Sequence, residues 1–432
     1  MSKLRSGVKR LMPTGLFRVI EPWGHLLEAV MWAAVYGFPA WRMHVIGVTG
    51  TNGKTTTSFM IHRILTEAGY NVALMTTVAN GVGNDITPQV AHMTTVSSKL
   101  LQERLREYKK RGAEWVVLET TSHALAQHRV FGVPYEIAVM TNITHEHLDY
   151  HGTFERYLTA KRKLFKIANR HGRKFGVVNA DDPSAKRFTS AIRRSVTYGL
   201  NAGDLRASNM NLRPDGSSYQ IVMDGKKFDI ECNIPGEFNV YNSLAAVAVV
   251  KELGLKFEQI QQGLMALKGV EGRMDTVNEG QPYSVIVDFA HTPDSFERLL
   301  SDLRTSTKGK LVVLFGSAGR RDEAKRWTQG EIAGKYADEL VLTEEDDRDI
   351  DGTMILNQIA EGAERSGKVK DKDMFLVLNR SDAIRLAMTR VSTNNDAVVL
   401  LGKGHEKTIE RVDGEHPWNE MDEARAAIQA LM

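Results

Sequence analysis

The chain has 432 residues, which is long enough for two or three domains with cores of their own. Hydrophobic residues make up 42% and charged residues 25%, which excludes a disordered or fibrous protein. The formal net charge of +3 is too small to indicate a nucleic-acid partner, and the single cysteine, Cys232, excludes an intramolecular disulfide and a cysteine-rich zinc site.

The first 43 residues combine basic side chains with an apolar stretch. Four basic residues between positions 3 and 10 precede the apolar run Leu26–Tyr36, an order that signal peptides share. Glu21 and Glu28 interrupt the apolar region, and no run reaches the ~20 residues that a transmembrane helix needs. We therefore expect no membrane span. We expect a helical stub, residues 1–43, packed on the following domain, with a membrane-surface helix as the alternative.

Residues 47–55 read Gly-Val-Thr-Gly-Thr-Asn-Gly-Lys-Thr, between a short apolar run and a helix-like segment. We interpret Gly47 as the first glycine of a phosphate-binding loop that ends in Gly53, Lys54 and Thr55. In such a loop, backbone N–H groups and the helix N-terminus surround phosphate oxygens, the lysine supplies charge and the threonine hydroxyl meets Mg²⁺. The sequence therefore predicts binding of a nucleoside triphosphate.

From residue 44 onwards, short β-rich runs alternate with amphipathic helices, which predicts an α/β fold with a mainly parallel, doubly wound sheet. The predicted strands are His44–Val48, Trp115–Glu119, Ile137–Thr141 and Phe175–Asn179. The predicted helices are Thr56–Ala68, Ser97–Arg111, Thr153–Ala168 and Pro183–Arg193. Asp-Gly turns then separate three short runs that predict an antiparallel insertion, namely Leu205–Asn211, Tyr219–Met223 and Lys227–Glu231. A helix, Asn239–Leu253, follows.

A second α/β segment begins near Gly272. Its predicted strands are Ser284–Asp288, Leu311–Phe315, Glu339–Thr343, Met374–Leu378 and Ala397–Leu401, and its helices include Pro293–Arg304 and Asp382–Thr389. We therefore predict a central P-loop ATP-binding domain at 44–272 and a C-terminal Rossmann-like domain at 273–432.

Two polar segments follow strands of the central domain, where parallel sheets bind ligands. Glu119 ends one strand, and its carboxylate is suited to the Mg²⁺ that Thr55 contacts, although a solvated glutamate is the alternative. The segment Thr-Asn-Ile-Thr-His-Glu-His-Leu-Asp-Tyr-His places His145, His147 and His151 near two acids. Imidazoles beside carboxylates suit a metal or a general base. We expect one of the three to be functional and His145 to be a bystander.

Three further residues have simple structural explanations. Lys161 lies on a basic helix, where a lysine is usually a solvated surface residue. Asn239 is placed to cap the helix that follows it. Asn242, one turn later, presents an amide that is able to pair with an adenine edge.

The C-terminal segment carries polar residues after three of its strands. Asp288 ends one strand, Gly316-Ser-Ala-Gly-Arg-Arg-Asp follows the next, and Gly402-Lys-Gly-His-Glu follows the last. Together, these three loops indicate a second binding surface.

Taken in order, seven motifs of residues 44–432 resemble those of the Mur ligase family, most closely its tripeptide-forming members. The motifs are Gly-Val-Thr-Gly-Thr-Asn-Gly-Lys-Thr-Thr, the run from Glu119 to Arg129, Thr-Asn-x₃-Glu-His-Leu-Asp-Tyr-His, Ala-Lys-x₂-Leu-Phe, Gly-Arg-Met-Asp, Asp-Phe-Ala-His-Thr-Pro-Asp and Gly-Lys-Gly-His-Glu.

The resemblance implies a cytoplasmic, monomeric enzyme of peptidoglycan-precursor synthesis, and hence a role in cell shape and division. Such an enzyme uses ATP and Mg²⁺ to activate a carboxylate as an acyl phosphate, which an amine then converts to an amide. The implied catalytic residues are Lys54, His147 and a carbamylated Lys161, and the implied metal ligands are Thr55, Glu119 and His147. The implied nucleotide contacts are Gly50, Thr51, Asn52, Gly53, Lys54, Thr55, Thr56, Asn142, Asn239, Asn242, Arg273 and Asp288. The implied contacts to the peptide-bearing acceptor and the amino acid are Thr94, Thr95, Ser122, Arg129, His291, Arg348, Lys403, His405 and Glu406.

The sequence departs from the family pattern at three places. Only about forty residues precede the phosphate-loop strand, so we expect the uridine-binding domain to be missing or reduced. Thr94-Thr95-Val96 replaces Thr-Thr-Pro, and Glu345-Asp346-Asp347-Arg348 replaces Asp-Asn-Pro-Arg. Arg348 suits the distal carboxylate of diaminopimelate, whereas Asp347 suits the side-chain amine of lysine or ornithine.

Two other functions remain open at this stage. One is a related ligase acting on another acceptor, of the folyl- or poly-γ-glutamate type. The other is a nucleotide-binding subunit without catalysis. The joint presence of Lys54, Thr55, Glu119, His147 and Lys161 favours an active ligase.

Overall fold

The computed structural model describes residues 14–89, 94–144, 146–213 and 216–432. It contains two compact units. The first consists of the described residues up to Asn209 with Tyr219–Ile230 and Tyr241–Ala266, and the second consists of Met210–Ser218, Glu231–Val240 and Leu267–Met432. Our domain boundaries at residues 43 and 272 remain predictions.

The first unit is built on a nine-stranded sheet with the order β4-β3-β2-β5-β1-β6-β7-β8-β9. Its strands are β1 His44–Thr49, β2 Val72–Met75, β3 Ala79–Val82, β4 Asp85–Pro88, β5 Trp115–Glu119, β6 Tyr135–Met140, β7 Phe175–Asn179, β8 Arg194–Gly199 and β9 Leu205–Arg206. Strand β1 pairs in parallel with both β5 and β6. The inner strands are buried along nearly their whole length, because helices cover both faces of a parallel sheet.

The predicted helices of this region begin and end within a few residues of their predicted bounds, except that Ala185–Thr189 is shorter, whereas Ser122–Ala126, Leu148–His151 and Phe257–Ala266 were not predicted. The helices are α1 Thr14–Tyr36, α2 Lys54–Glu67, α3 Ser98–Lys110, α4 Ser122–Ala126, α5 Leu148–His151, α6 Phe154–Ala168, α7 Ala185–Thr189, α8 Glu237–Glu252 and α9 Phe257–Ala266. Side-chain hydroxyls cap three of them: Ser97 accepts a hydrogen bond from Leu100 N, Thr121 accepts one from Ala124 N, and Thr153 accepts one from Arg156 N.

Helix α1 packs on α3, as predicted for the N-terminal stub. The Lys99 ammonium lies 5.1 Å from the ring centroid of Trp32, and the Arg106 guanidinium lies 6.0 Å from that of Tyr36. Among the described residues, no helix combines the length and the hydropathy needed to cross a membrane.

The predicted strand Leu205–Asn211 is divided between two sheets. Its first part, β9, extends the nine-stranded sheet in parallel with β8, where the Asp204 carboxylate accepts hydrogen bonds from both N and Oγ1 of Thr197. Its second part begins a separate three-stranded sheet of order β10-β11-β12, formed by Ser208–Arg213, Gly216–Met223 and Lys226–Cys232. The Asp204 side chain thus holds Leu205 and Arg206 in the nine-stranded sheet, although the strand pattern alone assigned them to the antiparallel insertion.

The second unit contains a six-stranded sheet with the order β13-β14-β18-β15-β16-β17, which is parallel except for β13 at one edge. Its strands are β13 Asp275–Thr276, β14 Ser284–Asp288, β15 Leu311–Phe315, β16 Glu339–Leu342, β17 Met374–Leu376 and β18 Ala397–Leu401, with a hairpin of β19 Thr408–Arg411 and β20 Gly414–Pro417. Its helices are α10 Pro293–Ser306, α11 Ala324–Tyr336, α12 Gly352–Arg365, α13 Arg380–Thr389 and α14 Glu420–Gln429. The predicted α/β fold is confirmed for both sheets.

Candidate functional site

The phosphate loop connects β1 to α2. Gly50 and Gly53 have φ values of 150° and 80°, which favour glycine. Asn142, at the carboxyl end of the neighbouring strand β6, holds the loop: its carbonyl oxygen accepts from Thr51 N at 2.7 Å and its Oδ1 accepts from Asn52 N at 2.9 Å. These two hydrogen bonds fix the loop to the sheet.

The assignment of Gly47 to this loop is wrong. Gly47 lies within β1, and a Cβ atom there would lie 2.7 Å from both Tyr135 and Leu164. Five residues separate it from Gly53, one more than the phosphate-loop pattern requires. Gly47 instead allows α6 to pack closely on the sheet, and the loop begins after Thr49.

A substitution at Gly53 tests whether the loop binds a triphosphate. A side chain there would collide with Oδ1 of Asn242, which accepts a hydrogen bond from Thr57 at 3.3 Å. Gly69 has a similar φ of 94°, but a Cβ atom there meets nothing within 4 Å. We expect Gly53→Ala to weaken triphosphate binding ~10-fold or more, whereas Gly69→Ala should cost only about 1–2 kcal/mol of stability, from backbone strain. Calorimetric titration of both variants checks this, and equal loss of binding would contradict it.

Glu119 and Thr55 meet beside this loop. Thr55 Oγ1 donates to Glu119 Oε2 at 3.0 Å, and the same oxygen accepts from N and Oγ1 of Thr77 at 2.9 and 3.1 Å. Hydroxyl and carboxylate oxygens are the ligands that Mg²⁺ prefers, so this pair fits the expected metal. The sequence interpretation did not include Thr77, because it did not predict the strand β2 that Thr77 follows.

The histidines form an aromatic cluster. His147 has a φ of 57°, its Nε2 lies 3.6 Å from Glu146 Oε2, and its ring lies 4.6 Å from that of His123. His151 Nε2 lies 3.0 Å from the hydroxyl of Ser122. His145 lies outside the described residues. Within the described ranges, no three Asp, Glu, His or Cys residues are grouped to hold a metal ion, so His147 as a ligand remains a prediction.

Lys161 is a buried lysine that contacts the phosphate loop. Its Nζ donates to the carbonyl oxygen of Gly50 at 2.5 Å and lies 4.7 Å from the ring centroid of Tyr157. Burial, followed by the charge of Lys54, lowers the pKa of Lys161 well below its usual value, although the carboxylate of Glu146 acts in the opposite direction. Its position excludes the solvated surface lysine that the helix pattern alone indicated.

Three of the predicted acceptor contacts lie near Glu119. Thr95 Oγ1 donates to the Glu119 carbonyl oxygen at 3.0 Å, and Arg129 Nη1 donates to the Thr95 carbonyl oxygen at 2.8 Å. Ser122 begins α4, just beyond β5. Thr94 is half-buried, and Val96, which replaces the family's proline, is fully buried.

One of the two asparagines, Asn239, differs from its predicted setting. Helix α8 begins at Glu237, so Asn239 lies inside its first turn rather than capping it, and its Nδ2 donates to the Pro235 carbonyl oxygen at 2.6 Å. Asn242 lies against the phosphate loop at Gly53. The predicted roles of both residues toward adenine remain predictions.

In the second unit, Asp288 is buried at the end of β14. Its carboxylate accepts hydrogen bonds from the backbone N–H groups of Met274 and Ala290, both at 2.7 Å. Burial raises the pKa of Asp288, while the guanidinium of Arg273 opposes the rise. These contacts tie the Gly-Arg-Met-Asp motif to the strand end.

Arg273 and His405 both pack on Phe289. The Arg273 guanidinium lies 4.7 Å from the Phe289 ring centroid and the His405 ring lies 4.9 Å from it, while His291 Nδ1 lies 2.8 Å from the Phe289 carbonyl oxygen. Burial, followed by Arg273, lowers the pKa of His405 to about 3, so its imidazole is neutral at physiological pH.

Lys403 and Arg348 are held by acids of the same unit. Lys403 Nζ is buried and donates to Asp346 at 2.9 Å and to Glu406 at 2.6 Å. Arg348 Nε donates to Glu410 at 2.6 Å, and its Nη1 donates to the Gly319 carbonyl oxygen at 2.5 Å. Much of the donor capacity of Arg348 is therefore already engaged.

An open cleft of about 580 Å³ lies beside Arg348. Its lining residues are Glu344, Asp347, Arg348, Asp349, Ile350, Asp351, Leu378, Asn379, Arg411 and Val412. Arg411 pairs with Glu344 at 2.7 Å, so both guanidiniums of the lining have carboxylate partners. Burial raises the pKa of Asp347 to about 6, and Glu344 adds to the rise.

Comparison with known proteins finds two family matches. The Mur ligase middle domain matches residues 48–250, and the domain described as Mur ligase, glutamate ligase domain, matches residues 272–404. The chain is 39% identical to the UDP-N-acetylmuramyl-tripeptide synthetase of Roseiflexus sp. (strain RS-1), over 97% of this chain and 85% of the relative. It is 41% identical to the enzyme of the same name from Deinococcus radiodurans, over 92% and 80%.

Comparison with solved structures also finds ligases. A UDP-N-acetylmuramoyl-L-alanyl-D-glutamate–2,6-diaminopimelate ligase matches with a TM-score of 0.64 and 32% identity, over 90% of this chain and 79% of that one. A folylpolyglutamate synthase from Mycobacterium tuberculosis has a TM-score of 0.73 over 94% and 95%, but at 16% identity it shares the fold alone.

Proposed function

This chain belongs to the Mur ligase family, and from that membership we propose that it adds a diamino acid to a muramyl-peptide-like acceptor. It is an ATP-dependent amide ligase of peptidoglycan-precursor synthesis. The observation that carries the proposal is one constellation at the phosphate loop: Lys54, the Thr55–Glu119 pair, and the buried Lys161 against Gly50.

In the first step, an oxygen of the acceptor carboxylate bonds to the γ-phosphorus of ATP. The bond between that phosphorus and the bridging oxygen breaks, and ADP leaves. Lys54 Nζ, which donates to the Thr51 carbonyl oxygen at 2.6 Å, is placed to turn to the terminal phosphates. Thr55 and Glu119 would hold Mg²⁺, which neutralises phosphate charge when bound. Asn142 keeps the loop N–H groups in position throughout.

We propose that Lys161 is carbamylated. Its lowered pKa favours the neutral amine, whose nitrogen bonds to the carbon of CO₂ and loses a proton, leaving an anionic carbamate. The product is a carboxylate-like group in place of a buried cation. Such a group beside Gly50 would support the cation that Thr55 and Glu119 hold, without a second lysine charge repelling Lys54.

In the second step, the amine of the incoming amino acid attacks the acyl carbon. The carbon–nitrogen bond forms, phosphate leaves, and the nitrogen gives up a proton. We assign His291, Lys403, His405 and Glu406 to substrate contacts in the second unit, because His405 is neutral there and Lys403 is a fixed cation. The acceptor's peptide would contact Thr94, Thr95, Ser122 and Arg129 in the first unit.

We propose that the amino acid ends in a side-chain amine without a second carboxylate, as lysine and ornithine do, whereas diaminopimelate carries both groups. The cleft beside Arg348 has four lining carboxylates, from Glu344, Asp347, Asp349 and Asp351, against two guanidiniums. Both guanidiniums are already paired, and two of the carboxylates pair with arginines as well, Glu344 with Arg411 and Asp349 with Arg320. Asp347 and Asp351 are then the acids that would attract an ammonium group in preference to the distal carboxylate of diaminopimelate.

Asp347 gives this assignment a pH signature. Since its pKa is about 6, its carboxylate takes up a proton as the pH falls, and the attraction for an ammonium weakens. The ionised fraction then drops about fourfold between pH 7 and pH 5.5, so we expect the KM for lysine to rise by about that factor. Asp347→Asn should raise the KM at pH 7 and abolish this pH dependence, whereas the exposed Asp371→Asn should change neither. Steady-state phosphate release measures both, and an unchanged KM would contradict the assignment.

The proposed function is tested by phosphate release with a matrix of substrates. UDP-linked and UDP-free muramyl dipeptides, and a folyl glutamate, are each combined with lysine, ornithine or diaminopimelate. We expect release that requires a muramyl peptide and a diamino acid together. Release with the folyl acceptor would favour the related ligase. Release only with diaminopimelate would overturn the proposed preference for lysine or ornithine but not the ligase function.

A further inference from the structure

The exposed residues of α1 between Trp23 and Tyr36 are apolar. This apolar face is formed by Trp23, Leu27, Val30, Met31, Ala34 and Val35. Their spacing puts them on one side of the helix, and exposure reaches 66% at Trp23 and 71% at Leu27. Ala29 and Ala33, on the other side, are buried. Continuous exposed apolar surface of this kind marks a site where a protein or a membrane docks.

A second exposed tryptophan follows the helix. Trp41 is 62% exposed, its indole N–H donates to the Gly132 carbonyl oxygen at 3.0 Å, and its ring lies 6.1 Å from that of His171. An indole with its N–H satisfied and its ring in solvent suits the boundary between water and hydrocarbon, where tryptophans concentrate.

Basic residues neighbour this tryptophan and its ring partner His171 in the sequence. His171 belongs to the loop between α6 and β7, where Arg170 and Arg173 are exposed, and the exposed Arg42 directly follows Trp41. Residues 1–20 carry five further basic residues and no acidic one, although the first 13 lie outside the described ranges. The nearby acids are Glu21 and Glu28 on α1, of which Glu28 is half-buried, and Glu136, which pairs with His44 at 2.8 Å.

We propose that the apolar face, with Trp41 and the basic loop 170–174, docks on an anionic lipid membrane. Helix α1 would lie in the headgroup layer with its apolar side inserted, while arginines and lysines meet lipid phosphates. It does not cross the bilayer, since no described helix meets the requirements for a span. This surface is distinct from the ligase site, and docking through it would place the ligase at a membrane.

Charge favours lipid over a second copy of this chain. In a symmetric dimer through the apolar face, the basic residues of each copy would face those of the other, and like charges repel. An anionic surface instead neutralises them. Self-association is therefore an outcome that the test must separate from membrane binding.

The experiment uses the full chain and sedimentation with vesicles. We expect binding to vesicles containing phosphatidylglycerol, little to phosphatidylcholine alone, and a steep loss with added salt. Trp23→Gln with Leu27→Gln should lower partitioning at least ~10-fold, because two inserted side chains are lost. Arg170→Gln with Arg173→Gln should weaken binding only to anionic vesicles. The control Val369→Gln, at a 50% exposed apolar residue between α12 and β17, should bind normally.

Three results would overturn the proposal. They are no binding to anionic vesicles, equal binding to both kinds of vesicle, or double variants that partition like the original chain. Sedimentation velocity without vesicles is measured in parallel, and a dimer that the Trp23→Gln, Leu27→Gln variant dissociates would assign the face to self-association instead. Phosphate release in solution should be unchanged in every variant, because none of these residues contacts the phosphate loop.

Discussion

Lys54→Ala should lower ligation by ~10³-fold or more. Phosphoryl transfer needs charge neutralisation at the terminal phosphates, and Lys54 is the loop residue that provides it. Its removal also eliminates the hydrogen bond to the Thr51 carbonyl oxygen, which is 2.6 Å long and contributes little to the fold. The loss should therefore appear in turnover rather than in stability.

The measurement is phosphate release at saturating ATP, with thermal unfolding recorded for each variant. Lys186→Ala, an exposed lysine of the same unit, is the matched control and should retain full activity. Near-normal turnover of folded Lys54→Ala would show that another cation serves the phosphates.

The strands were largely predictable because the parallel sheets bury them on both faces. Trp115–Glu119 and Phe175–Asn179 have the predicted bounds, since a continuous apolar run ends where burial ends. The sequence pattern could not distinguish Gly47 from the loop glycines. Its role depends on close contacts with Tyr135 and Leu164, which are distant in the sequence. The start of α8 before Asn239 was missed for a related reason: Asn239 bonds backwards to Pro235 instead of capping.

The candidate site was partly predictable because polar residues follow the ends of central strands. The sheet order places β1 between β5 and β6, so Thr55, Glu119 and Asn142 converge although they are far apart in sequence. The contact of Thr77 with Glu119 could not be predicted, because the sequence does not show that β2 is the neighbour of β5. The burial of Lys161 is not visible in a basic helix, where neighbouring lysines and arginines are more exposed.

Lys161→Ala should be inactive, and short carboxylates such as formate or acetate should restore part of the activity. The substitution removes a buried side chain and leaves a space beside Gly50, which a small anion is able to fill in place of the carbamate. Lys161→Met supplies the contrast: its side chain keeps the volume and the contact with Tyr157, so it should be inactive and resist rescue. Lys166→Ala, an exposed lysine on the same helix, should remain active without added acid.

Rescue distinguishes a carbamate from a structural lysine, because a structural role would respond to volume rather than to charge. If Lys161 only fills the space beside Gly50, Lys161→Met should lose less activity than Lys161→Ala, and neither should respond to acetate. If the carbamate forms, labelled carbon dioxide should be retained by the original chain and by Lys166→Ala, but not by either Lys161 variant. Its retention should decline at low pH, where the Lys161 amine takes up a proton and no longer attacks carbon dioxide.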